Sequence, residues 1–444
     1  MSSLKAKIAW LTLMKPEEQK AAVASFVMVF ILMAVYFILR PVRDAMASDW
    51  SDTEVSVLWN IQFFLSSGLV MLYCFVINHL RLRHVVPAVY TLFAVSFLVF
   101  YFVTLNTVDV VWAEKAFYLW VTSFSLLNIS VFWSFMGEVF SKKQGQRLFP
   151  FVGSGASAGA ILGPVIPVMF ADSLGLSTLM LVAAMGLLLV VPIVFYLLKS
   201  IPKNQSKNKP IRPQNQRIKG QWWSGFRDTF THPLLFGIAI FILLYVFINS
   251  FVYFQQKNLL AEFSRADRAQ ILGGIDWVVN VLTFVVAFVV TGRMVKRMGM
   301  ALTLASIPLA MVFGFVILAL APMVIILLGV QMARRVGNYS ITRPAREMLF
   351  TQVSQEQRFK AKPVIDVVIY RGGDAASATV FASLTDGIGV GMLGMSIIGA
   401  VVAAFWAVVG FMLGSRFTRT KEGLADSSVA QQDIKNTNNH LITG

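Results

Sequence analysis

A single cysteine, Cys74, stands among 444 residues, so no disulfide can form within the chain and thiol redox chemistry is not expected. Histidine is nearly as scarce. His79, His84, His232 and His440 lie at the edges of apolar runs or near the C-terminus, with no metal-ligand spacing among them. No Walker-type phosphate loop is present, so no cofactor, metal or enzymatic activity is expected. Charge is also sparse, at 14% of residues where soluble domains hold about a quarter. Apolar residues fill the space instead, 57% of the chain, and raise the mean hydropathy to +0.70.

A bilayer crossing needs roughly 20 mostly apolar residues in a row. Twelve such spans can be drawn: 21–40, 55–78, 85–105, 110–136, 148–170, 174–198, 233–254, 269–291, 301–320, 323–341, 364–383 and 392–413. The fold class expected is an all-α polytopic membrane protein of twelve transmembrane helices. Lys15, Pro16, Glu17 and Glu18 precede the first span without a small-residue cleavage site, so no removable signal peptide is expected.

The net charge of +16 raises the question of nucleic acid, and the placement of the bases answers it. Of 38 Lys and Arg, 31 fall in the N-terminal segment, the even-numbered breaks with their flanks, and the C-terminal tail. The odd-numbered breaks carry Asp49, Asp52, Glu54, Asp109, Glu114, Asp172 and Asp386. Positive charge concentrated on alternate loops marks the cytoplasmic side, which puts both termini in the cytoplasm of a bacterial inner membrane. The bilayer, not nucleic acid, is the partner this pattern implies.

The longest hydrophilic stretch, 199–230, is basic and holds three prolines. It separates an N-terminal six-helix half (1–198) from a C-terminal one (231–415), with a tail at 416–444 expected to be disordered. Two parallel halves of six helices joined by a cytoplasmic linker describe a major facilitator-like layout, in which substrate binds near the midplane between the halves. Weak internal echoes support a duplication: "SKKQGQRLF" and "TQVSQEQRF" each lead into a span with a small-residue cluster, "GSGASAGA" or "GGDAASA". In the first cluster Gly155, Gly159 and Gly163 recur every fourth residue, the spacing that lets a neighbouring helix approach one face closely.

Ionisable groups inside a span are costly and are functional candidates by default. Arg334 and Arg335 lie about 18 Å into their span, as does Asp374 in its own, at about 1.5 Å per residue. Arg334 and Arg335 point about 100° apart, so one is expected toward a central cavity and the other toward the cytoplasm. Asp366, Tyr370 and Asp374 follow at four-residue intervals, and Arg371 reaches Asp374 at three. Arg40, Arg43 and Asp44 close the first span, and Asp276 has no cation nearby in sequence. Arginine outnumbers aspartate in this set, and its planar fork suits carboxylate and phosphate, so an anionic solute is expected. The substrate-binding candidates are Arg371, Arg334, Arg335, Arg40, Arg43 and Tyr370; the coupling or gating candidates are Asp374, Asp276 and Asp44.

Three blocks carry a family resemblance: "YFILRPVRDAMA", "FWSFMGEVFSKKQGQRLFPFVGSGASAGAILGP" and "RPAREMLFTQVSQEQRFKAKPVIDVVIYRGGDAASA". In that order and on those spans they resemble the ATP:ADP antiporter (nucleotide translocase) family of plastids and obligate intracellular bacteria. The resemblance implies a twelve-helix major facilitator-like carrier and, in its characterised members, nucleotide exchange. Arg40, Arg43 and Asp44 fall on that family's basic-acidic motif of the first span, with Pro41 and Arg43 in place of an acid and a lysine. Asp374 stands near the place of a lysine in the eleventh span. The stretches "YLWVTSFSLLN" and "FINSFVYFQQK" hold no counterpart of the family's glutamates in spans 4 and 7.

The expected function is therefore a secondary active transporter of an organic anion, with nucleotide exchange of NTP for NDP among the candidates, acting as a monomer. A proton-coupled exporter of a metabolite or drug is the alternative, because Gly159, Gly163 and Pro164 form a GxxxGP pattern similar to that of drug-exporting antiporters. A non-transporting membrane receptor or assembly factor is a third class.

Overall fold

Gly175 and Gly299 hold φ of 75° and 74°, a region that L side chains rarely adopt, and each breaks a run of helix, the second where the basic stretch 291–298 gives way to an apolar span. Each break re-aims the chain at the start of the apolar span that follows it. The computed structural model describes residues 15, 17–79, 82–106, 111–200, 224–289, 291–353, 357, 361–362 and 364–442. Most of the basic linker, Asp109, and Arg358 of the second Gln-Arg echo lie outside the described residues.

Every described element is helical. The first six are α1 (Gln19–Ala47), α2 (Asp52–His79), α3 (Leu82–Asn106), α4 (Val111–Val139), α5 (Lys142–Leu162) and α6 (Val165–Ser200). A short α7 (Ser224–Thr231) precedes α8 (Pro233–Leu260), α9 (Arg265–Val289) and α10 (Thr291–Leu320). Then come α11 (Val324–Gly337), α12 (Arg343–Leu349), α13 (Tyr370–Ala382) and α14 (Met392–Ile442). The last helix runs on through the tail that composition alone expects to be unstructured. Among the described residues, eight helical stretches are long and apolar enough to cross a membrane.

The chain forms two compact units. The first takes residues 1–217 with 256–281, and the second takes 218–255 with 282–444. The division departs from the two sequence halves in one place: the end of α8 and most of α9 belong to the first unit.

In the first unit α1 packs on α5 and α6, and α3 packs on α6. Small residues at four-residue spacing make the first contact possible. A Cβ on Gly155 would sit 2.6 Å from Phe26 O, one on Gly163 2.7 Å from Ala34 O, and Gly159 lies closer still to Phe30 O. Backbone meets backbone there. Gly159→Val is therefore expected to cost about 1–3 kcal/mol or more by overpacking, whereas Gly153→Ala, with nothing within 4 Å of its added carbon, should be neutral. Thermal unfolding in detergent checks both; equal midpoints for the two variants would show that the close approach carries no stability.

In the second unit α10 packs along α14, where Gly414 rests on Ala301. There α13 lies on α8, with Gly373 against Leu243 and Val246 and the Ser250 and Ser377 hydroxyls 2.6 Å apart. Counting spans within each half, the first pairs with the fifth and the third with the sixth in both units. The duplication suggested by the sequence echoes thus recurs in the packing.

Two π-helical turns flank the charged segments of the second unit, at Asn338–Thr342 and Val364–Ile369. A π turn carries an extra residue and is common at functional sites. The second one interrupts the expected four-residue register between Asp366 and Tyr370. Asp366 instead faces Arg346, at 3.4 Å, and so does not share a site with Asp374 through that spacing.

Candidate functional site

In the second unit the sequence brings Tyr245 of α8, Gln331 and Arg334 of α11, and Tyr370 of α13 together around one guanidinium. Arg334 is 3% exposed. Its Nη2 and Nε donate to Gln331 Oε1 at 2.6 and 3.2 Å, and its Nη1 donates to Tyr245 Oη at 3.4 Å. Both acceptors are neutral. Among the described residues, no carboxylate lies within ion-pair distance of Arg334. Removing a charge from water costs several kcal/mol, and neutral hydrogen bonds recover only part of that.

Aromatic rings wall the group. Tyr245 packs against Tyr370 at 6.3 Å and against Trp406 at 5.7 Å between centroids. Arg335 is 4% exposed, so the expected division into one buried and one snorkelling arginine is not what the structure shows. Both are buried because α11 passes into the Asn338–Thr342 turn among other helices rather than reaching a loop. At the start of α13, Arg371 Nη1 donates to Asp374 Oδ2 at 3.5 Å, a long ion pair.

The first unit arranges its intramembrane charges differently. Asp44 Oδ1 accepts from Arg43 Nε and Nη2 at 2.9 and 2.7 Å, while Arg40 Nε lies 3.8 Å from Asp44 Oδ2. Arg40 Nη1 also reaches Asp276 Oδ1 at 3.3 Å, so the carboxylate without a sequence-local cation finds one 236 positions away. Arg43 further donates to Thr122 Oγ1 at 3.0 Å and stacks over the Tyr118 ring at 5.1 Å. Two arginines and two aspartates form a set of zero net charge. Arg40 and Arg43, expected among the substrate-binding groups, already have carboxylate partners.

Several charged residues with structural prominence are not among the site candidates read from sequence. Asp49, Asp52, Glu114, Lys257, Arg265 and Arg268 form a network at the ends of α1, α2, α4, α8 and α9. Their position at span ends makes them read as topology markers. Glu138, near the end of α4, has no ion partner among the described residues and sits in line with Ser134 and Ser130 at four-residue spacing. That spacing was the available signal. Elsewhere in the first unit, Glu18 accepts from Gln144 Nε2 at 3.0 Å and from Arg147 Nη2 at 3.0 Å, which ties the start of α1 to the Gln-Arg echo.

A family model described as Major Facilitator Superfamily matches residues 25–345. The chain belongs to that superfamily. Its curated relatives include "ADP,ATP carrier protein 1" of Chlamydia pneumoniae, 22% identical over 94% of this chain and 95% of that one. "ADP,ATP carrier protein 2" of Chlamydia trachomatis is 20% identical over 73% of this chain and 69% of its own. Solved major facilitator structures share the fold. The nucleoside transporter NupG superposes with a TM-score of 0.63 at 12% identity, covering 91% of this chain and 99% of that one. A bacterial homologue of the lysosomal transporter Spinster, inward-facing and unoccupied, gives 0.60 at 13% identity, over 91% and 98%. This major facilitator protein is a multi-pass membrane transporter of a small solute.

Proposed function

We propose that the protein is a secondary active transporter of the bacterial inner membrane, with twelve spans in two six-helix halves and both termini cytoplasmic. It moves an organic anion by alternating access, and nucleotides are the first class to test. The observation that carries this reading is Arg334: a buried guanidinium held by a glutamine and a tyrosine, with no acid in ion-pair distance among the described residues. A counter-charge that arrives with the substrate would satisfy it. The two relatives named as ADP,ATP carriers support nucleotide as that substrate. Because Arg40, Arg43, Asp44 and Asp276 of the first unit neutralise one another, anion recognition belongs to Arg334, Arg335, Arg371 and Tyr370. Asp44 and Asp276 serve coupling or gating through Arg40 and Arg43, and Asp374 does so through Arg371.

A thermal-shift screen of purified protein against nucleotides and other phosphorylated or carboxylated metabolites tests the class, since a ligand stabilises the state it binds. At 100 times Kd the stabilisation is about 2.7 kcal/mol, a shift of several degrees. No shift with any anion would sink the reading. Counterflow in proteoliposomes then separates exchange, which needs substrate on both faces, from proton-coupled export, which needs only a pH gradient. Glu138 favours the second mode as an alternative, being a carboxylate without an ion partner among the described residues.

Arg371→Ala is expected to raise the half-saturating substrate concentration by about tenfold or more, the loss of roughly 1.4 kcal/mol or more of anion binding. Uptake kinetics at fixed protein density measure it. An unchanged value would leave Arg371 as a helix-internal partner of Asp374 only.

A further inference from the structure

The interior of the second unit holds two buried donors with hydrogens to spare. A guanidinium has five N–H groups, and Arg334 uses three of them: Nε and Nη2 on Gln331 Oε1, and Nη1 on Tyr245 Oη. One hydrogen remains on each Nη, enough for two oxygens of a single carboxylate or phosphate group. Trp406 of α14 is the second donor. It is 0% exposed, and its ring packs on Tyr245 at 5.7 Å and on Phe241 at 5.5 Å between centroids. Its Nε1 is buried with no hydrogen-bond partner among the described residues. An indole N–H can only donate, so whatever satisfies it must bring an acceptor. Tyr245 joins the two donors, since it accepts from the guanidinium and packs on the indole.

Charge limits what can bind there. The deep ionisable groups of α11 and α13 are Arg334, Arg335, Arg371 and Asp374, with Asp374 3.5 Å from Arg371. Three guanidinium groups against one carboxylate leave two positive charges in excess. Asp366 meets Arg346 at 3.4 Å, a pair that adds nothing to the balance. The titratable groups that weigh on Arg334 are Tyr245, Tyr339, Tyr370 and Arg335, three neutral phenols and another cation. In the first unit, taken by itself, Arg40 and Arg43 stand against Asp44 and Asp276. A phosphate monoester carries about −1.5 to −2 at pH 7 and matches an excess of two, whereas a nucleoside triphosphate carries about twice that. Surplus charge moved from water into a low-dielectric interior is costly unless something pairs with it.

We propose that Arg334 and Trp406 together grip one oxyanion group, and that the substrate carries its charge in that single group, as a phosphate monoester or a carboxylate, rather than as a di- or triphosphate. The guanidinium takes two oxygens and supplies the counter-charge. The indole N–H takes a lone pair of the same group and becomes satisfied only when the substrate is present. Arg335 and Arg371 complete the balance without a fourth acid being needed. Among nucleotides this selects the monophosphate, and it makes Trp406 a binding residue that charge and span depth do not mark. The inference rests on the anion-transport reading above.

The experiment measures Kd by calorimetry on the full chain in lipid nanodiscs, at one ionic strength and without divalent cations, for AMP, ADP, ATP, phenyl phosphate and benzoate. The tightest of AMP, phenyl phosphate and benzoate is expected to bind about tenfold or more tighter than ATP, with ADP between them. Phenyl phosphate against benzoate, on the same ring, tells which oxyanion the fork prefers. Trp406→Phe should weaken that tightest probe about tenfold, the loss of one hydrogen bond to a charged group. Trp112→Phe, at an indole 60% exposed at the start of α4, should leave its Kd unchanged. ATP binding as tightly as the best single-group probe overturns the charge assignment and leaves the anion reading standing. An unchanged Kd in a folded Trp406→Phe protein overturns the shared grip, its N–H then being met by water alone. No binding by any of the five overturns this inference and the anion reading together. Should Trp406→Phe fail to fold, the comparison with ATP on the unmutated chain still decides.

Discussion

Arg334→Ala is expected to abolish substrate-dependent transport in proteoliposomes while the protein still folds and inserts. The reason lies in what holds this side chain. Its Nη2 and Nε share one amide oxygen of Gln331, its Nη1 reaches a tyrosine hydroxyl, and no acid among the described residues neutralises it. Truncating a charge that pairs with a buried counter-ion costs about 2–5 kcal/mol, which is about 30-fold or more in binding at 25 °C. Removing a buried, uncompensated charge costs the empty fold little, so the loss falls on the substrate complex. Arg334→Lys should fail almost as badly, because an ammonium cannot bridge Gln331 and Tyr245 and still offer a planar fork to an anion. Initial uptake rates at matched protein density measure this. Wild-type rates from a folded Arg334→Ala protein would remove the residue from the site and with it the main support for an anionic substrate.

The second large effect is expected at Asp276, for the opposite reason. Its side chain is 4% exposed, and Arg40 faces it from a helix far away in sequence. Breaking a buried pair by removing one partner costs roughly 3–5 kcal/mol, because the other charge stays behind in low dielectric. Asp44, 3.8 Å from Arg40, softens this without cancelling it. Asp276→Ala and Arg40→Ala should each lower the unfolding midpoint strongly, and the double variant should lower it by clearly less than the sum. Additive effects would show that the two groups are neighbours without being partners. If Asp276 instead serves proton coupling alone, Asp276→Asn would uncouple flux from the pH gradient at unchanged stability.

Much of this was legible from residue types and spacing. Gly155, Gly159 and Gly163 announce a close helix contact by recurring on one face, and the structure puts that face on the backbone of α1. Arg334 and Arg335 are identified as deep by counting from the start of their span at Met323, a length argument that needs no tertiary information. What sequence spacing cannot show is a partner brought by the fold. Arg40 and Asp276 are 236 positions apart, and no local pattern links them. The pairing of Arg265 with Glu114 was hidden for another reason: charges at span ends have a sufficient explanation in topology, so a pair formed between distant sequence positions leaves no trace in composition. The π turns escaped as well. Hydrogen-bond register along a helix depends on neighbours rather than on the residue itself, and "VIDVVI" is an ordinary apolar hexapeptide with one acid.

Those turns have a mechanical consequence. A π turn is backbone slack: it stores one residue more than an α turn of the same span. Rewinding Val364–Ile369 to α geometry turns whatever follows by about 100° around the helix axis. Tyr370 and Arg371 are what follow. The segment before them is thus a swivel joint whose throw is one residue, and the helix that carries Arg371 has in its own main chain the length needed to present that side chain in either of two directions.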